Sequence, residues 1–283
     1  MIGDPPSMDE AERNSDAVRS VRGERFSTKD PDEGGTEETI RVIEEAPLTI
    51  DVEGVENFTL LCTPTDRKAL AVGFLFSEGV IESMADVKVL KECDDDPLTV
   101  RVRLTRKVPR IGDPGRNLLI VSSCGACGSG NLKEQIAALP HAGDAFKIYP
   151  DVLRSVYDTL RKRQSLFEAC GATHAAAVFD ASGKIVSCAE DVGRHNALDK
   201  ASGKCILDGI RTAGLGAAVT SRLSLEMISK CARAGIELVA AVSAPTTMAI
   251  DTADTCNITL CAFVRDTRAT VFTHSRRLLG TRK

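Results

Sequence analysis

The chain has 283 residues, 43% hydrophobic and 27% charged, a balance that excludes fibrous or wholly disordered proteins and can bury one large core or two. Its net charge is −4, but residues 1–38 hold eleven Asp/Glu against five Lys/Arg, so the remainder is about neutral. With no Trp, two Tyr and no basic stripe, no nucleic-acid groove is expected. No run of 18 apolar residues occurs and the acidic N-terminus has no apolar core, so neither a membrane span nor a secretory signal is expected, and the expected address is the cytoplasm. The ten cysteines then read as reduced thiols, most of them packing residues.

Residues 1–38 are polar and Gly/Pro-punctuated, which predicts a disordered acidic tail. Alternation at Ile40/Val42 and Leu48/Ile50/Val52, a turn at Glu53-Gly54 and then Phe58–Cys62 predict short strands with a hairpin. Asp66 stands where an N-cap belongs, and Leu70, Phe74 and Leu75 line one face of a helix that Gly79 ends. With strands near Val87–Leu90 and Leu98–Leu104, residues 39–116 read as a small β-rich domain carrying one helix. Residues 117–140 read as a short strand, a cysteine loop and a helix Asn131–Leu139, with Asn131 and Glu134 spaced as a capping box.

A helix is predicted over Asp151–Phe167. From residue 173 strands and helices alternate: strands 175–179 and 185–188, helix 196–207, strand 215–220, helix 224–234, strand 236–243, a helix opened by Pro245, and strand 258–265. That alternation predicts an α/β layered domain over 141–283, in a chain that is α+β overall.

Cys124-Gly-Ala-Cys127 lies among glycines ahead of a helix N-terminus, whose partial positive charge favours thiolate. A thiolate attacks disulfide and persulfide sulfur. Three readings stand open: a sulfur or redox relay, half of a zinc site, and a glycine turn that happens to hold cysteines. A structural zinc site wants a second CxxC or CxxH, and the sequence has none, so no metal site is expected.

Glu190-Asp-Val-Gly-Arg-His-Asn196 runs from a strand end into a helix start, where open α/β sheets bind ligands. Arg194, His195 and Asn196 then face a pocket, with Asp191 or Glu190 orienting the cation; the alternative is a solvated turn with Asn196 as N-cap. His174 at the start of an Ala-rich strand is either a core histidine or a ligand. Ala244-Pro-Thr-Thr247 and Arg265-Asp-Thr-Arg268 can cradle phosphate or serve only as cap and hairpin.

Ser123-Cys-Gly-Ala-Cys-Gly128, Gly171-Ala-Thr-His-Ala-Ala-Ala177, the run Glu190–Lys200, Ser221-Arg-Leu-Ser-Leu-Glu226 and Val242-Ser-Ala-Pro-Thr-Thr247 resemble, in order, the motif series of the formate dehydrogenase accessory sulfurtransferase family, FdhD. Glu45-Ala-Pro-Leu48 and Gly73-Phe-Leu-Phe-Ser-Glu-Gly79 fit the same series, so the resemblance spans about Thr39 to Leu279.

The resemblance implies a sulfurtransferase that takes sulfane sulfur from a cysteine desulfurase and passes it to the molybdenum bis(guanine dinucleotide) cofactor bound for the formate dehydrogenase catalytic subunit. By position, Cys124 would carry the persulfide with Cys127 assisting, and the family's cofactor segment falls on Phe263, Val264, Arg265, Asp266, Thr267 and Arg268. Guanidinium forks match phosphate oxygens, which suits Arg265 and Arg268 to a pyrophosphate. A groove long enough for two dinucleotides is easier to build from two subunits, so a homodimer is expected. The resemblance also implies a cytidine-deaminase-like three-layer C-terminal domain. Deamination itself is excluded, since Ala175-Ala176 follow His174 where a zinc deaminase needs a Glu, and the CxxC precedes rather than follows. A cofactor chaperone without sulfur transfer and a thiol–disulfide oxidoreductase remain the alternatives.

Overall fold

The computed structural model describes residues 16–29, 34–106 and 132–280. Cys124 and Cys127 lie outside the described residues, as do residues 1–15 of the expected tail.

A six-stranded mixed sheet organises the larger part of the molecule, in the order β12-β11-β10-β9-β7-β8. Its strands are β7 (His174–Phe179), β8 (Ile185–Asp191), β9 (Gly216–Val219), β10 (Leu238–Ala241), β11 (Thr259–Arg265) and β12 (Arg268–Val271). Strands β9, β10 and β11 run parallel, and β7, β8 and β12 are added antiparallel. The central strands are short, Ala-rich and buried except at His174, as strands covered on both faces must be. The strand period of two sends Ala176 and Val178 into one apolar cluster and Ala175, Ala177 and Phe179 into the other.

The first cluster belongs to helices α5 (Arg194–Leu207), α6 (Leu225–Arg233) and α7 (Thr247–Thr255). The second includes Val152, Leu153, Val156 and Leu160 of α3 (Pro150–Lys162). Helix, sheet and helix make the three layers expected of the C-terminal α/β domain. The single helix expected over 151–167 is corrected to α3 and a short α4 (Ser165–Cys170). The break has a cause: the buried Glu190 carboxylate accepts the backbone N–H groups of Leu166 and Phe167, at 2.8 and 2.9 Å, and so holds a separate helix start.

A second, four-stranded sheet has the order β4-β3-β6-β5 and is built from β3 (Ala46–Val52), β4 (Glu56–Cys62), β5 (Val87–Glu92) and β6 (Thr99–Leu104). Leu48, Ile50 and Val52 on its inner face pack with Leu70, Phe74 and Leu75 of α1 (Arg67–Ser77). Asp66 occupies the N-cap of α1 in a left-handed conformation without a capping bond, and its carboxylate pairs with Lys204 at 2.6 Å. The short α2 (Leu132–Ala137) lies within the expected 131–139 helix. The expected tail is corrected too: β1 (Val18–Arg25) pairs antiparallel with β2 (Thr36–Ile43) along its whole length. A mostly exposed two-stranded ribbon needs few apolar residues, so its composition imitates a tail.

Helix α5 joins the two sheets. It packs on the large sheet by Ala197, Leu198 and Ala201 and crosses α1 on its other side. The crossing is close enough that a Cβ on Gly73 would fall on the Asp199 carbonyl, and one on Gly203 on that of Ala69. A helix buried on both sides must satisfy its charges internally. Lys200 and Asp191, both fully buried, pair at 2.6 Å. Lys200 also donates to the Thr63 carbonyl at 2.8 Å, and Asp191 accepts the Thr63 N–H at 3.1 Å. Lys230 bridges Asp199 at 2.7 Å, and Asp199 also accepts from the Ser77 hydroxyl at 2.9 Å.

Two outcomes follow for stability. Gly73→Ala or Gly203→Ala should cost about 1–3 kcal/mol by forcing the helices apart, read as a lower urea midpoint. Lys200→Met removes one partner of a buried pair and should cost about 3–5 kcal/mol in the same assay; a change under about 1 kcal/mol would show that the pair does not hold the two sheets together.

Candidate functional site

The parallel strands β9, β10 and β11 all end at one edge of the large sheet, and the antiparallel β7 and β8 bring a strand start and a strand end to the same edge. His174 faces Asp191 in register, and Ala175 bonds Thr220 just past β9. The loops after β9 and β10 are tied by Leu223 N–H to the Ala244 carbonyl, 3.1 Å, and Thr246 N–H to the Leu223 carbonyl, 2.9 Å. The segments around 174, 191–196, 220–226, 242–247 and 263–265, which the sequence singles out separately, therefore share one edge. Open α/β sheets bind ligands at the carboxyl ends of their parallel strands.

At the β7–β8 end, Gly193 rather than Asn196 is the N-cap of α5. Arg194, His195 and Asn196 form its first turn. Asn196 is taken up structurally, its Nδ2 donating to the Leu61 carbonyl at 2.8 Å and to Asp191 at 3.1 Å. Asp191 and Glu190 do not orient the pocket cations: the first belongs to Lys200 and the second caps α4, also accepting the Thr173 hydroxyl at 2.7 Å. The residue that orients His195 is Glu226, which sequence reasoning gave no role although it closes the Ser221–Glu226 motif. His195 Nε2 stands 2.7 Å from Glu226 Oε2. Burial raises the Glu226 carboxyl, and the His195 ring, then Arg194 and Lys230, more than offset it, so it lies below the usual glutamate value. His174 is half-buried, and burial, then Arg194 and Arg222, push its imidazole below the usual histidine value, which favours the neutral ring.

At the β10–β11 end lies an open cleft of about 190 Å³, lined by Arg154, Tyr157, Asp158, Val242, Val264, Arg265 and Asp266. Arg265 is fixed by one guanidinium nitrogen, which donates to the Val242 carbonyl at 2.6 Å and the Val264 carbonyl at 2.9 Å. The Tyr157 hydroxyl donates to the Val219 carbonyl at 3.1 Å, and burial raises that phenol well above its usual value, so it stays neutral. Phe263 sits at φ 53° where the β11–β12 register shifts between Ala262 and Arg265. A bulky residue in the left-handed region is strained, and a bulge re-aims its side chain. Here the exposed Phe263 ring lies 6.3 Å from that of Phe272. Thr267 is in the hairpin turn and Arg268 opens β12 opposite Arg265; neither lines the cleft.

The described cysteines divide by burial. Desolvation pushes the Cys62, Cys231 and Cys261 thiols up to about 12 and those of Cys205 and Cys256 up to about 11, which removes them as nucleophiles near neutral pH. Among the described residues no group of three or more His, Cys, Asp or Glu is placed to hold a metal ion, and no helix is long and apolar enough to cross a membrane.

Comparison with known proteins gives a consistent result. The chain is 42% identical over 241 residues to the sulfur carrier protein FdhD of Bordetella parapertussis, covering 84% of this chain and 87% of that one. It is 35% identical over 263 residues to the sulfur carrier protein FdhD of Saccharolobus solfataricus, covering 92% and 99%. Its fold matches the crystal structure of a candidate formate dehydrogenase accessory protein from Desulfotalea psychrophila with a TM-score of 0.73 at 22% identity, covering 93% of this chain and 100% of that one. The model of the FdhD/NarQ family matches residues 43–279, so the chain belongs to the FdhD/NarQ family.

Proposed function

We propose that this protein is a sulfur carrier that serves formate dehydrogenase: it accepts sulfane sulfur from a cysteine desulfurase on Cys124 and delivers it to a molybdenum bis(guanine dinucleotide) cofactor, its substrate. Family membership supports the carrier role. The observation that carries the cofactor half is the gathering of the motif segments at one sheet edge, with Arg265 in a cleft at one end of it.

In the first step the Cys124 thiolate attacks the terminal sulfur of the desulfurase persulfide; a Cys124 persulfide forms and the desulfurase cysteine leaves as thiolate. The raised thiols of the five buried cysteines take those five out of this step, and the resemblance of the CxxC motif selects Cys124. In the second step the Cys124 persulfide and the Cys127 thiol meet a molybdenum oxo group. The sulfane sulfur is reduced to sulfide on the metal, the two cysteines are oxidised to a disulfide, and the oxygen leaves as water with both protons. A thiol reductant resets the pair.

Arg265 suits a pyrophosphate because its backbone tie leaves the rest of the fork free for two parallel hydrogen bonds. The cleft is smaller than the roughly 300–1,000 Å³ usual for small-molecule pockets. It holds one end of such a ligand, and the remaining contacts fall to the open edge and to a second subunit of a homodimer.

Incubation with a cysteine desulfurase and cysteine should add about 32 Da, reversible by dithiothreitol, to the wild-type protein in intact-mass spectra. Cys124→Ser should abolish the gain. Retention of the added sulfur by Cys124→Ser contradicts the assignment, and no gain in the wild type favours a cofactor chaperone. Arg265→Ala should keep the sulfur and weaken GDP binding about tenfold or more by calorimetry.

A further inference from the structure

The protein has four histidines, and one of them is built to move a proton. His141 is exposed on a loop. His274 has both ring nitrogens engaged, Nε2 with the Asp254 carbonyl at 3.0 Å and Nδ1 with the Arg276 guanidinium at 2.8 Å. His174 stands near Arg194 and Arg222, and the carboxylate opposite it in register, Asp191, is held by Lys200. His195 differs from all three. Its Nε2 faces the Glu226 carboxylate at 2.7 Å, both side chains are half-buried, and its Nδ1 has no hydrogen-bond partner among the described residues. A carboxylate behind one ring nitrogen fixes the tautomer and leaves the other nitrogen to exchange a proton.

The two residues meet because the fold brings two helix starts together: His195 lies in the first turn of α5 and Glu226 in that of α6. The other charges at the pair are Arg194 on the same turn as His195 and Lys230 one turn further along α6, and Lys230 is taken up by Asp199 and the Ser77 hydroxyl. Asp191 and Glu190 are committed to Lys200 and to the start of α4, so Glu226 is the carboxylate left for the ring. Its carboxyl lies below the usual glutamate value and is therefore an anion near neutral pH, able to balance the charge of a protonated imidazole.

Resting on the cofactor reading above, we propose that His195 is the acid that protonates the oxygen leaving molybdenum in the second step, donating from Nδ1, with Glu226 as the positioning residue behind Nε2. Oxide is a poor leaving group and water a good one, so the transfer needs an acid at the oxygen. The step balances without a further reactant. The persulfide and the Cys127 thiol each release a proton, the two electrons from disulfide formation reduce the sulfane sulfur to sulfide, and the oxygen takes both protons. His195 gives its Nδ1 proton to the oxygen and regains one from sulfur, so the ring ends the step as it began.

The test loads the full chain with persulfide, mixes it with the oxo form of the molybdenum bis(guanine dinucleotide) cofactor at saturation, and times the loss of the added sulfur by intact mass across a range of pH. In the wild type the rate should fall as the pH rises, because the acid form of the ring is lost. His195→Gln should load sulfur normally, transfer it about a hundredfold more slowly and lose that pH dependence. Glu226→Gln, of the same shape, should load normally and transfer about tenfold more slowly or worse; it carries the test if His195→Gln does not fold. A wild-type rate in His195→Gln, a slow rate with the wild-type pH dependence, or a loss that more cofactor restores in full would each overturn the proposal and leave the cofactor reading standing. If the wild type loads sulfur but passes none to the cofactor, the cofactor reading falls and the proposal with it.

Discussion

The fully buried Asp191–Lys200 pair is the interaction on which the rest of the molecule depends. Its two residues end β8 and sit at mid-length in α5, and both reach across to Thr63, in the segment that leads from β4 into α1. One pair thus fixes the strand-to-helix turn that carries Arg194 and His195, and fixes the small sheet against the large one. Two unit charges are held without water only because each has further partners: Thr63 and Thr65 for the lysine, and the N–H groups of Thr63, Gly193 and Asn196 for the aspartate. A rigid turn is what the proposed ligand edge requires, since side chains can pre-organise only on a backbone that does not move.

The same logic divides the eleven-residue run Glu190–Lys200 into two jobs. Glu190, Asp191, Asn196, Asp199 and Lys200 are spent on capping, bridging and helix packing, while Arg194 and His195 turn toward the edge. Around α5 the buried polar groups are paired: Asp191 with Lys200, Asp199 with Lys230 and Ser77, and His195 with Glu226. Structural polarity and the proposed ligand groups are interleaved in one stretch because the turn that carries Arg194 and His195 is also the joint between the two sheets.

Much of this was legible in the sequence. Strand alternation gave the layered α/β fold, and the motif run marked the edge. What the sequence left unread has physical causes. Asp191 and Lys200 look the same in a string whether they face a pocket or each other, and the partners that decide the matter, Thr63 and Thr65, are more than a hundred residues away. The break between α3 and α4 came from a carboxylate in a later strand, which no local helix signal contains. Strand β1 was hidden because a half-solvated ribbon has the composition of a tail. Arg222 and Glu226 sat in a motif whose match was visible but whose roles came only from the ends of neighbouring strands meeting.

The account centres on one ligand edge assembled from five segments. Its most direct test is hydrogen–deuterium exchange of the full chain with and without saturating GDP. The account predicts slower exchange concentrated in the segments around residues 174, 193–196, 220–226, 242–247 and 263–266, with the β3–β6 sheet unchanged. Protection confined to other segments, or none at saturation, would contradict it.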